Sequence, residues 1–352
     1  MMRLPHFRYR APRTIAEAAA ILADDPRETM LLAGGTDILP NMKRRQQTPR
    51  TLVALRGIAE LRAESRAAPH ATRNGNGLSL GAGLTLSALE RDARIRAGYA
   101  ALWQAAAQVA TPPIRNAATL GGNLCLDTRC NYYDQNYEWR KAIDFCMKKA
   151  GTVCWVAPGS ETCLAVSSTD CAPALAALGA RVRLVSKSGE RDVALLDLYR
   201  NDGIEYLTRR PDEILTQVLL DPPDGWRSAY WKLRRRGAFD FPVLSVAAAA
   251  RIGRGGIVEE ARIVLGAVAS RPLDAAAAAA VLVGRPLDDD AIAEAASLAA
   301  QIAKPMDNTD FVLGWRKKAA RAFVGHALRE VRGDDVREPR QRYARMALDP
   351  SA

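Results

Sequence analysis

The residues of this chain best suited to chemistry are its six cysteines, which all lie between positions 125 and 171 of 352. Cysteine thiolates bind metal ions and iron–sulfur clusters, and scattered structural thiols do not group in this way. We place the chain in the cytoplasm, where disulfides are rare, so the grouping predicts a metal site first and thiol redox chemistry second. The six are Cys125, Cys130, Cys146, Cys154, Cys163 and Cys171.

The spacing of these cysteines favours an iron–sulfur cluster over zinc. Zinc sites usually contain close C-x2-C pairs, often with histidine, and no histidine of this chain lies in the cysteine segment. An iron–sulfur cluster tolerates longer intervals because the cluster itself crosslinks the loop, although the intervals here match no ferredoxin pattern. Zinc and a set of buried free thiols remain the alternatives.

Two Gly-Gly segments are the second feature that could do chemistry. Gly34-Gly35 lies in AGGTD, and Gly121-Gly122 lies in TLGGN. Glycine lets backbone N–H groups approach an anion without a Cβ in the way, so two such turns together could hold one pyrophosphate. A single Gly-Gly pair is more often an ordinary tight turn, and neither segment fits the Rossmann or P-loop pattern.

The elements that must position these residues form three regions. A helix at 14–22 and a strand at 30–33 precede the first glycine turn, and a second α/β region begins with a strand near Leu78. After a linker at 221–225 come two strands, two alanine-rich helical segments at 274–283 and 290–303, and a helix at 313–331. The tail from Arg332 is polar, and we expect little order there.

Composition limits the classes of function. With 48% apolar residues the chain can bury two or more cores. No apolar core of signal-peptide length follows the first basic residues and no apolar run has transmembrane length, so we expect neither a signal peptide nor a membrane span. The net charge of +11 invites a nucleic-acid interpretation, but the basic residues are spread along the chain and no aromatic-interleaved RNA motif surrounds them. We expect no nucleic acid and no membrane, and a positive surface that meets an acidic partner.

Five segments, in order along nearly the whole chain, resemble the FAD-binding medium subunit of the molybdenum hydroxylases, the family of xanthine dehydrogenase and carbon monoxide dehydrogenase. They are LLAGGTDILPNMK (31–43), IRNAATLGGN (114–123), SSTDCAPALAALGA (167–180), DEILTQVLL (212–220) and KLRRRGAFDFPVLSVA (232–247).

The resemblance implies an α+β fold. A vanillyl-alcohol-oxidase-type FAD-binding domain of two α/β subdomains would precede a C-terminal domain with a small antiparallel sheet and a helical bundle. The implied bounds are 1–65 and 66–222 for the two subdomains, 223–331 for the C-terminal domain and 332–352 for the polar tail.

The resemblance also implies an FAD site. Two segments would wrap the pyrophosphate through backbone N–H groups and the side chains of Thr36, Thr119 and Asn123. Asp170 would lie beside the flavin nucleotide, Leu215 would be an apolar cofactor contact, and Lys232 would lie near the flavin. The wrapping residues are Leu32, Ala33, Gly34, Gly35, Thr36 and Asp37, then Thr119, Leu120, Gly121, Gly122 and Asn123.

The last three residues also have plainer interpretations. Asp170 could cap the helix that follows it, as aspartate often does. Leu215 could be a core residue only, and Lys232 could be a solvated residue at the edge of a sheet.

The chain departs from most of the resembling proteins between Asn123 and Asp170, where they have a short connector and this chain has a long insertion at about 124–166. A similar cysteine-bearing insertion occurs in the β subunit of 4-hydroxybenzoyl-CoA reductase, which is described as carrying an additional [4Fe–4S] cluster. We take that branch as the nearest, although a periplasmic aldehyde oxidoreductase of the same superfamily also has such a loop.

This resemblance divides the six cysteines into packed thiols and expected cluster ligands. Cys125 and Cys171 stand at positions that relatives without the insertion also possess, so we expect packed thiols there. An alternative set uses Cys125 in place of the first cysteine of the insertion. Five basic residues nearby, Arg129, Arg140, Lys141, Lys148 and Lys149, could offset the charge of a four-thiolate cluster or simply form a soluble surface. The expected ligands of the [4Fe–4S] cluster are Cys130, Cys146, Cys154 and Cys163.

The function implied is electron transfer within a larger molybdenum enzyme, because no constellation for bond-breaking chemistry is recognisable in the chain. FAD takes two electrons and releases them singly. The resemblance implies the reductive dehydroxylation of 4-hydroxybenzoyl-CoA to benzoyl-CoA. Electrons from ferredoxin would pass through the [4Fe–4S] cluster and FAD to a small [2Fe–2S] subunit and a large molybdopterin subunit, in a dimer of heterotrimers. The alternatives are the FAD subunit of an oxidative hydroxylase and a stand-alone FAD or zinc protein.

Overall fold

Three β-sheets organise the chain in a computed structural model that describes residues 3–66 and 77–345. The first sheet is parallel, with strand order β1-β3-β2. Its elements are β1 (Arg8–Arg10), α1 (Ile15–Asp24), β2 (Thr29–Leu32), α2 (Ile38–Lys43) and β3 (Thr51–Ala54). The first glycine segment therefore joins the carboxyl end of β2 to α2.

The second sheet is antiparallel, with strand order β4-β5-β8-β6-β7. Its strands are β4 (Glu64–Arg66), β5 (Leu78–Gly81), β6 (Arg181–Ser186), β7 (Gly189–Ala194) and β8 (Ile214–Leu220). The helices between β5 and β6 are α3 (Leu86–Arg91), α4 (Ala93–Gly98), α5 (Ala100–Gln108), α6 (Pro112–Arg115), α7 (Leu120–Leu124), α8 (Tyr137–Ala142) and α9 (Cys171–Ala177).

The third sheet, also antiparallel, has strand order β12-β11-β10-β9. It consists of β9 (Trp226–Leu233), β10 (Leu244–Ile252), β11 (Val258–Gly266) and β12 (Leu273–Asp274). The helices that follow are α10 (Ala276–Ala280), α11 (Asp289–Ile302), α12 (Leu313–Arg332) and α13 (Arg337–Arg345).

The third sheet lies between two layers of helices. Successive side chains of a strand point to opposite faces, and in β10 Ala247 and Ala249 join the core that contains α5 and α9. Val246, Ala248 and Ala250 join the core of the C-terminal helices. The third sheet therefore also covers helices that lie between β5 and β6, and the two parts of the chain share a packed interface.

The insertion at 124–166 is mostly irregular, with α8 as its helix. Its two ends are joined by paired backbone hydrogen bonds, from Arg129 N–H to Val166 O at 2.8 Å and from Val166 N–H to Arg129 O at 2.7 Å. Its small core consists of Cys130, Tyr133, Cys146, Cys163 and Ala165. Hydrogen bonds from Gln46 Nε2 to Tyr133 O and from Arg140 to Arg44 O attach this loop to the first region of the chain.

The α+β fold is confirmed, and three local predictions need correction. The second glycine segment is the helix α7 rather than a turn, because the Thr119 hydroxyl accepts a hydrogen bond from the Gly122 N–H and caps the helix. The predicted alanine-rich helix at 274–283 is limited to α10. The tail contains α13, so our expectation of little order there is wrong for 337–345; residues 346–352 and His70 lie outside the described residues.

A buried arginine ties the third sheet to α12. Arg316 is fully buried, and its guanidinium donates to Val243 O at 2.9 and 3.1 Å, to Met306 O at 2.9 Å and to Ala267 O at 2.7 Å. Burial lowers the pKa of Arg316 to about 10, which leaves the group charged at neutral pH. One side chain thus holds the start of β10, the end of β11 and the loop before α12.

We expect Arg316→Met to lower the free energy of unfolding by about 3 kcal/mol or more, because it leaves several buried carbonyls without a donor. Urea unfolding followed by tryptophan fluorescence measures the change. Arg321→Met, at an exposed position of the same helix, is the matched control. Equal midpoints for the two variants would contradict the role assigned to Arg316.

Candidate functional site

The two glycine segments meet in the structure. A Cβ added at Gly34 would lie 2.0 Å from the carbonyl oxygen of Ala117, two residues before Thr119. A Cβ added at Gly122 would lie 3.8 Å from the Cβ of Ala33. The segments therefore pack backbone against backbone, as the prediction of one shared anion site requires, and a side chain at position 34 would force them apart.

The first segment offers free backbone donors. Gly35 has φ +74°, in the left-handed region that favours glycine. Among the hydrogen bonds of the described residues, none is donated by the backbone N–H of Gly34, Gly35 or Thr36. The segment is partly exposed. Successive free N–H groups in a turn make a concave site for a phosphate, so this segment fits the pyrophosphate of FAD.

The residues of the second segment mostly pack and hydrogen-bond within the protein. Gly121 packs on Ala82, where an added Cβ would lie 2.7 Å from the Ala82 Cβ. The Asn123 side chain is buried, and its Oδ1 accepts hydrogen bonds from Thr169 Oγ1 at 2.7 Å and from the Cys171 N–H at 3.0 Å. The side-chain oxygens of Thr119 and Asn123 thus fix α7 and the start of α9, a role that sequence reasoning missed. Leu120 is fully buried in the main core.

Asp170 and Lys232 form a buried ion pair. Lys232 Nζ lies 3.0 Å from Asp170 Oδ2 and 3.1 Å from the carbonyl oxygen of Gln108, and the Tyr230 hydroxyl donates to Asp170 Oδ1 at 2.6 Å. Burial raises the pKa of Asp170 and lowers that of Lys232, while their mutual attraction acts in the opposite direction on both. Lys232 is therefore not solvated, although β9 is an edge strand.

The plainer interpretations of Asp170 and Leu215 can also be compared with the structure. Asp170 occupies the cap position of α9, but its side chain makes no capping hydrogen bond. Leu215 lies in the middle strand of the second sheet and belongs to the main core. Its contact with a cofactor stays a prediction.

Four of the six cysteines line one small cavity. All four are buried and none forms a disulfide. The remaining two lie elsewhere, since Cys171 begins α9 in the main core and Cys125 packs against that core. The four that share the cavity are Cys130, Cys146, Cys154 and Cys163.

The thiols of this cavity are not easily ionised. The backbone amides of Tyr132 and Ala165 lower the pKa of Cys130 and Cys163 respectively, but burial acts more strongly in the opposite direction. Burial raises the pKa of Cys130 to about 12 and that of Cys163 to about 11, so metal binding would have to displace protons from these thiols. An added Cβ at Gly203 would lie 2.7 Å from Cys163 Sγ, which shows how closely the backbone packs here.

One basic residue lines the cavity. The Lys148 side chain is buried, and its Nζ lies 2.8 Å from Asp127 Oδ1 and 4.9 Å from the centre of the Tyr133 ring. Arg140 is buried but donates to the carbonyl oxygen of Arg44 at 2.8 Å. Of the five basic residues predicted to offset the charge of a cluster, Lys148 is the one that faces it.

The four cysteines share one cavity, but within 3–66 and 77–345 no three His, Cys, Asp or Glu side chains form a group that could hold a metal ion. The cluster expected from the cysteine spacing therefore stays a prediction.

The described helices include none that is long and apolar enough to cross a membrane.

Comparisons with known proteins agree with this geometry. Residues 5–222 match the model of the FAD binding domain in molybdopterin dehydrogenase, and residues 228–331 match that of the CO dehydrogenase flavoprotein C-terminal domain. The chain is 32% identical over 282 residues to the aldehyde oxidoreductase FAD-binding subunit PaoB of Escherichia coli, covering 76% of this chain and 82% of PaoB. It is 29% identical to the carbon monoxide dehydrogenase medium chain of Afipia carboxidovorans, covering 93% and 96%.

Solved structures give the same result. The fold is similar to a chain of the reconstituted CO dehydrogenase from Oligotropha carboxidovorans, with TM-score 0.76 and 28% identity over 95% of this chain and 100% of that one. It is also similar to a chain of quinoline 2-oxidoreductase from Pseudomonas putida 86, with TM-score 0.72 and 27% identity. That match covers 94% of this chain and 98% of the other one. This protein belongs to the FAD-binding medium subunits of the molybdenum hydroxylase family, the oxidoreductases of the carbon monoxide and xanthine dehydrogenase type.

Proposed function

We propose that this chain is the electron-transfer subunit of an oxidative molybdenum hydroxylase that acts on an aldehyde, and that it carries both FAD and a [4Fe–4S] cluster. Its partners would be a large molybdopterin subunit, which holds the substrate, and a small [2Fe–2S] subunit. FAD supplies the step between two-electron and one-electron chemistry. FAD subunits of this family typically lack a cluster, so the cavity lined by four cysteines is the single observation that carries the proposal.

The chain's part in binding FAD falls to the two glycine segments. The free N–H groups of Gly34, Gly35 and Thr36 would bind the pyrophosphate, and α7 would support them from the side. The Asp170–Lys232 pair, joined at 3.0 Å, lies at the start of α9, which Asn123 holds against α7. We assign this pair to the flavin end of the site.

The chain's part in binding the cluster falls to the four cysteines and their surroundings. The backbone amides of Tyr132 and Ala165 favour the ionised forms of Cys130 and Cys163, and Lys148, which is paired with Asp127, lies at the cavity wall. Hydrogen bonds to the sulfurs and nearby charge are the means by which a protein tunes such a cluster.

Similarity to the E. coli aldehyde oxidoreductase subunit, at 32% identity, favours the oxidative direction. A second candidate is the reductive branch, in which the chain would be the β subunit of 4-hydroxybenzoyl-CoA reductase, take electrons from ferredoxin and serve aromatic degradation in the cytoplasm. The cysteine insertion does not separate the two candidates, because a similar insertion occurs in that branch and in a periplasmic aldehyde oxidoreductase. The net charge of +11 would suit the docking of an acidic ferredoxin, whichever way the electrons flow.

Activity of the complex with its two partner subunits separates the candidates. We expect aromatic or aliphatic aldehydes to reduce an artificial electron acceptor, measured as loss of dye absorbance. Dehydroxylation of 4-hydroxybenzoyl-CoA with reduced ferredoxin, in the absence of aldehyde oxidation, would overturn the oxidative proposal in favour of the second candidate.

Substitution of Gly34 tests the FAD site. A methyl group 2.0 Å from the Ala117 oxygen must separate the two glycine segments, so we expect Gly34→Ala to weaken FAD binding by roughly tenfold or more, about 1.4 kcal/mol. FAD titration of the deflavinated complex measures this. Gly314→Ala is the matched control, because an added Cβ there meets nothing within 4 Å. Equal affinities would contradict the placement of the pyrophosphate.

Substitution of the cysteines tests the cluster. We expect Cys146→Ser to lose iron and sulfide, counted chemically, together with the low-temperature electron paramagnetic resonance signal of a [4Fe–4S] cluster, while FAD is retained. Cys171→Ser, in the main core, is the control and should keep its iron. Comparison of Cys125→Ser with Cys130→Ser decides between the two ligand sets. Unchanged iron content in Cys146→Ser would remove the cluster from the proposal.

A further inference from the structure

Arg129, the residue before Cys130, reaches from the cysteine insertion to the first glycine segment. Its guanidinium pairs with the carboxylate of Asp37, donates to Asn41 Oδ1 at 3.2 Å and to Asp134 Oδ1 at 3.0 Å, and lies 4.8 Å from the centre of the Phe241 ring. Arg129 is buried. A single side chain thus joins the insertion, the segment after β2 and the loop between β9 and β10.

The carboxylate that Arg129 contacts is fixed on its other side as well. Asn41 Nδ2 donates to Asp37 Oδ2 at 3.1 Å, so Asp37, Asn41 and Arg129 form a closed triangle at the start of α2. The insertion also holds the chain beyond α2, where Gln46 Nε2 donates to Tyr133 O at 2.6 Å. The insertion therefore contacts α2 at Asn41 and the chain on both sides of it, at Asp37 and Gln46.

The negative charge of Asp37 means that this arrangement bears on FAD binding. Asp37 ends the segment whose free N–H groups suit a pyrophosphate, and a carboxylate beside that dianion would repel it, strongly so where solvent is limited. The Asp37 side chain is 24% exposed, and Arg129 is the cation paired with it. Without the guanidinium the carboxylate would oppose FAD.

We propose that Arg129 is a positioning residue for FAD, which neutralises Asp37 and fixes the phosphate-binding segment to the cysteine insertion. This rests on the proposed function, in which the pyrophosphate lies on 33–37 and Cys130 binds the cluster. The backbone of Arg129 is held by its pairing with Val166 and by the neighbouring Cys130. Order at the cluster site and affinity for FAD are therefore linked, and linkage between two binding sites is reciprocal.

The test begins with three variants of the intact complex, each deflavinated and titrated with FAD. We expect Arg129→Gln to bind FAD on the order of tenfold more weakly, within the range usual for coupled sites. The double variant Asp37→Asn/Arg129→Gln should recover most of the affinity, because the repelling carboxylate is gone. Arg285→Gln, which breaks an exposed pair with Glu294 in the C-terminal domain, is the matched control.

The double variant separates neutralisation from a merely structural role. If Arg129→Gln only disturbed the fold, adding Asp37→Asn would not restore FAD binding. The single and the double variant would then both unfold at a lower temperature than the Arg285→Gln control, and by the same amount. Wild-type affinity in Arg129→Gln, or a double variant as weak as the single one, would overturn the proposal.

A second comparison tests the linkage to the cluster. Removal of iron from the wild-type complex by a chelator should weaken FAD binding, and the same treatment of Arg129→Gln should add little. Equal FAD affinity of the wild type before and after iron removal would overturn the linkage. A complex that contains no [4Fe–4S] cluster when purified anaerobically would instead contradict the proposed function, and the FAD titrations of the variants would still decide the role of Arg129.

Discussion

The close approach of two backbone segments, Gly34 against the carbonyl of Ala117, is the constraint on which the rest of the site depends. It brings the segment after the parallel strand β2 against the turn before α7, and there is no space between them for a side chain. The side chain of Asn123, in α7, holds the start of α9 through a hydrogen bond to the Cys171 N–H. Asp170, at the start of α9, pairs with Lys232 on the C-terminal sheet. Three regions far apart in sequence are thus joined by one close backbone contact and two polar contacts.

The insertion follows a different physical principle. The subdomains obtain their order from sheets and apolar cores, whereas the segment from 124 to 166 has one short helix and a core of which three of the five members are cysteines. A segment of this kind that keeps a cavity at its centre loses packing contacts there. A cluster bound by four thiolates would crosslink the segment at the point where apolar packing is lacking, as bound metals do in other small domains. Hydrogen bonds to Asn41, Gln46 and Arg44 then attach it to the FAD-binding region.

Local sequence patterns predicted the glycines and cysteines of the two sites better than they predicted which charged side chains pair around those sites. Gly34 and Gly122 could be found because Gly-Gly pairs are visible in the sequence, and the four cysteines of the cavity because motif positions separated them from Cys125 and Cys171. The helix α7 could also have been found, since Thr119 is a good N-cap residue. The pairing of Arg129 with Asp37 could not, because two side chains that meet across a fold leave no periodic or local pattern. The same holds for Lys232, which a strand pattern alone suggests is solvated.

Three buried or partly buried carboxylates around the two sites are each paired with a base: Asp37 with Arg129, Asp127 with Lys148, and Asp170 with Lys232. Such pairs contribute little net stability, because the cost of desolvating both charges offsets their attraction. Their value here lies in geometry and charge. FAD and a four-thiolate cluster both bring negative charge, which a lone carboxylate would repel. In two of the three pairs the base comes from a different part of the chain than the carboxylate: Arg129 reaches Asp37 from the insertion, and Lys232 reaches Asp170 from the C-terminal sheet. Asp127 and Lys148 both lie in the insertion. Asp37 and Asp170 gain their cationic partners only when these parts are docked, so the fold prepares the proposed FAD site for an anionic cofactor only in its assembled form.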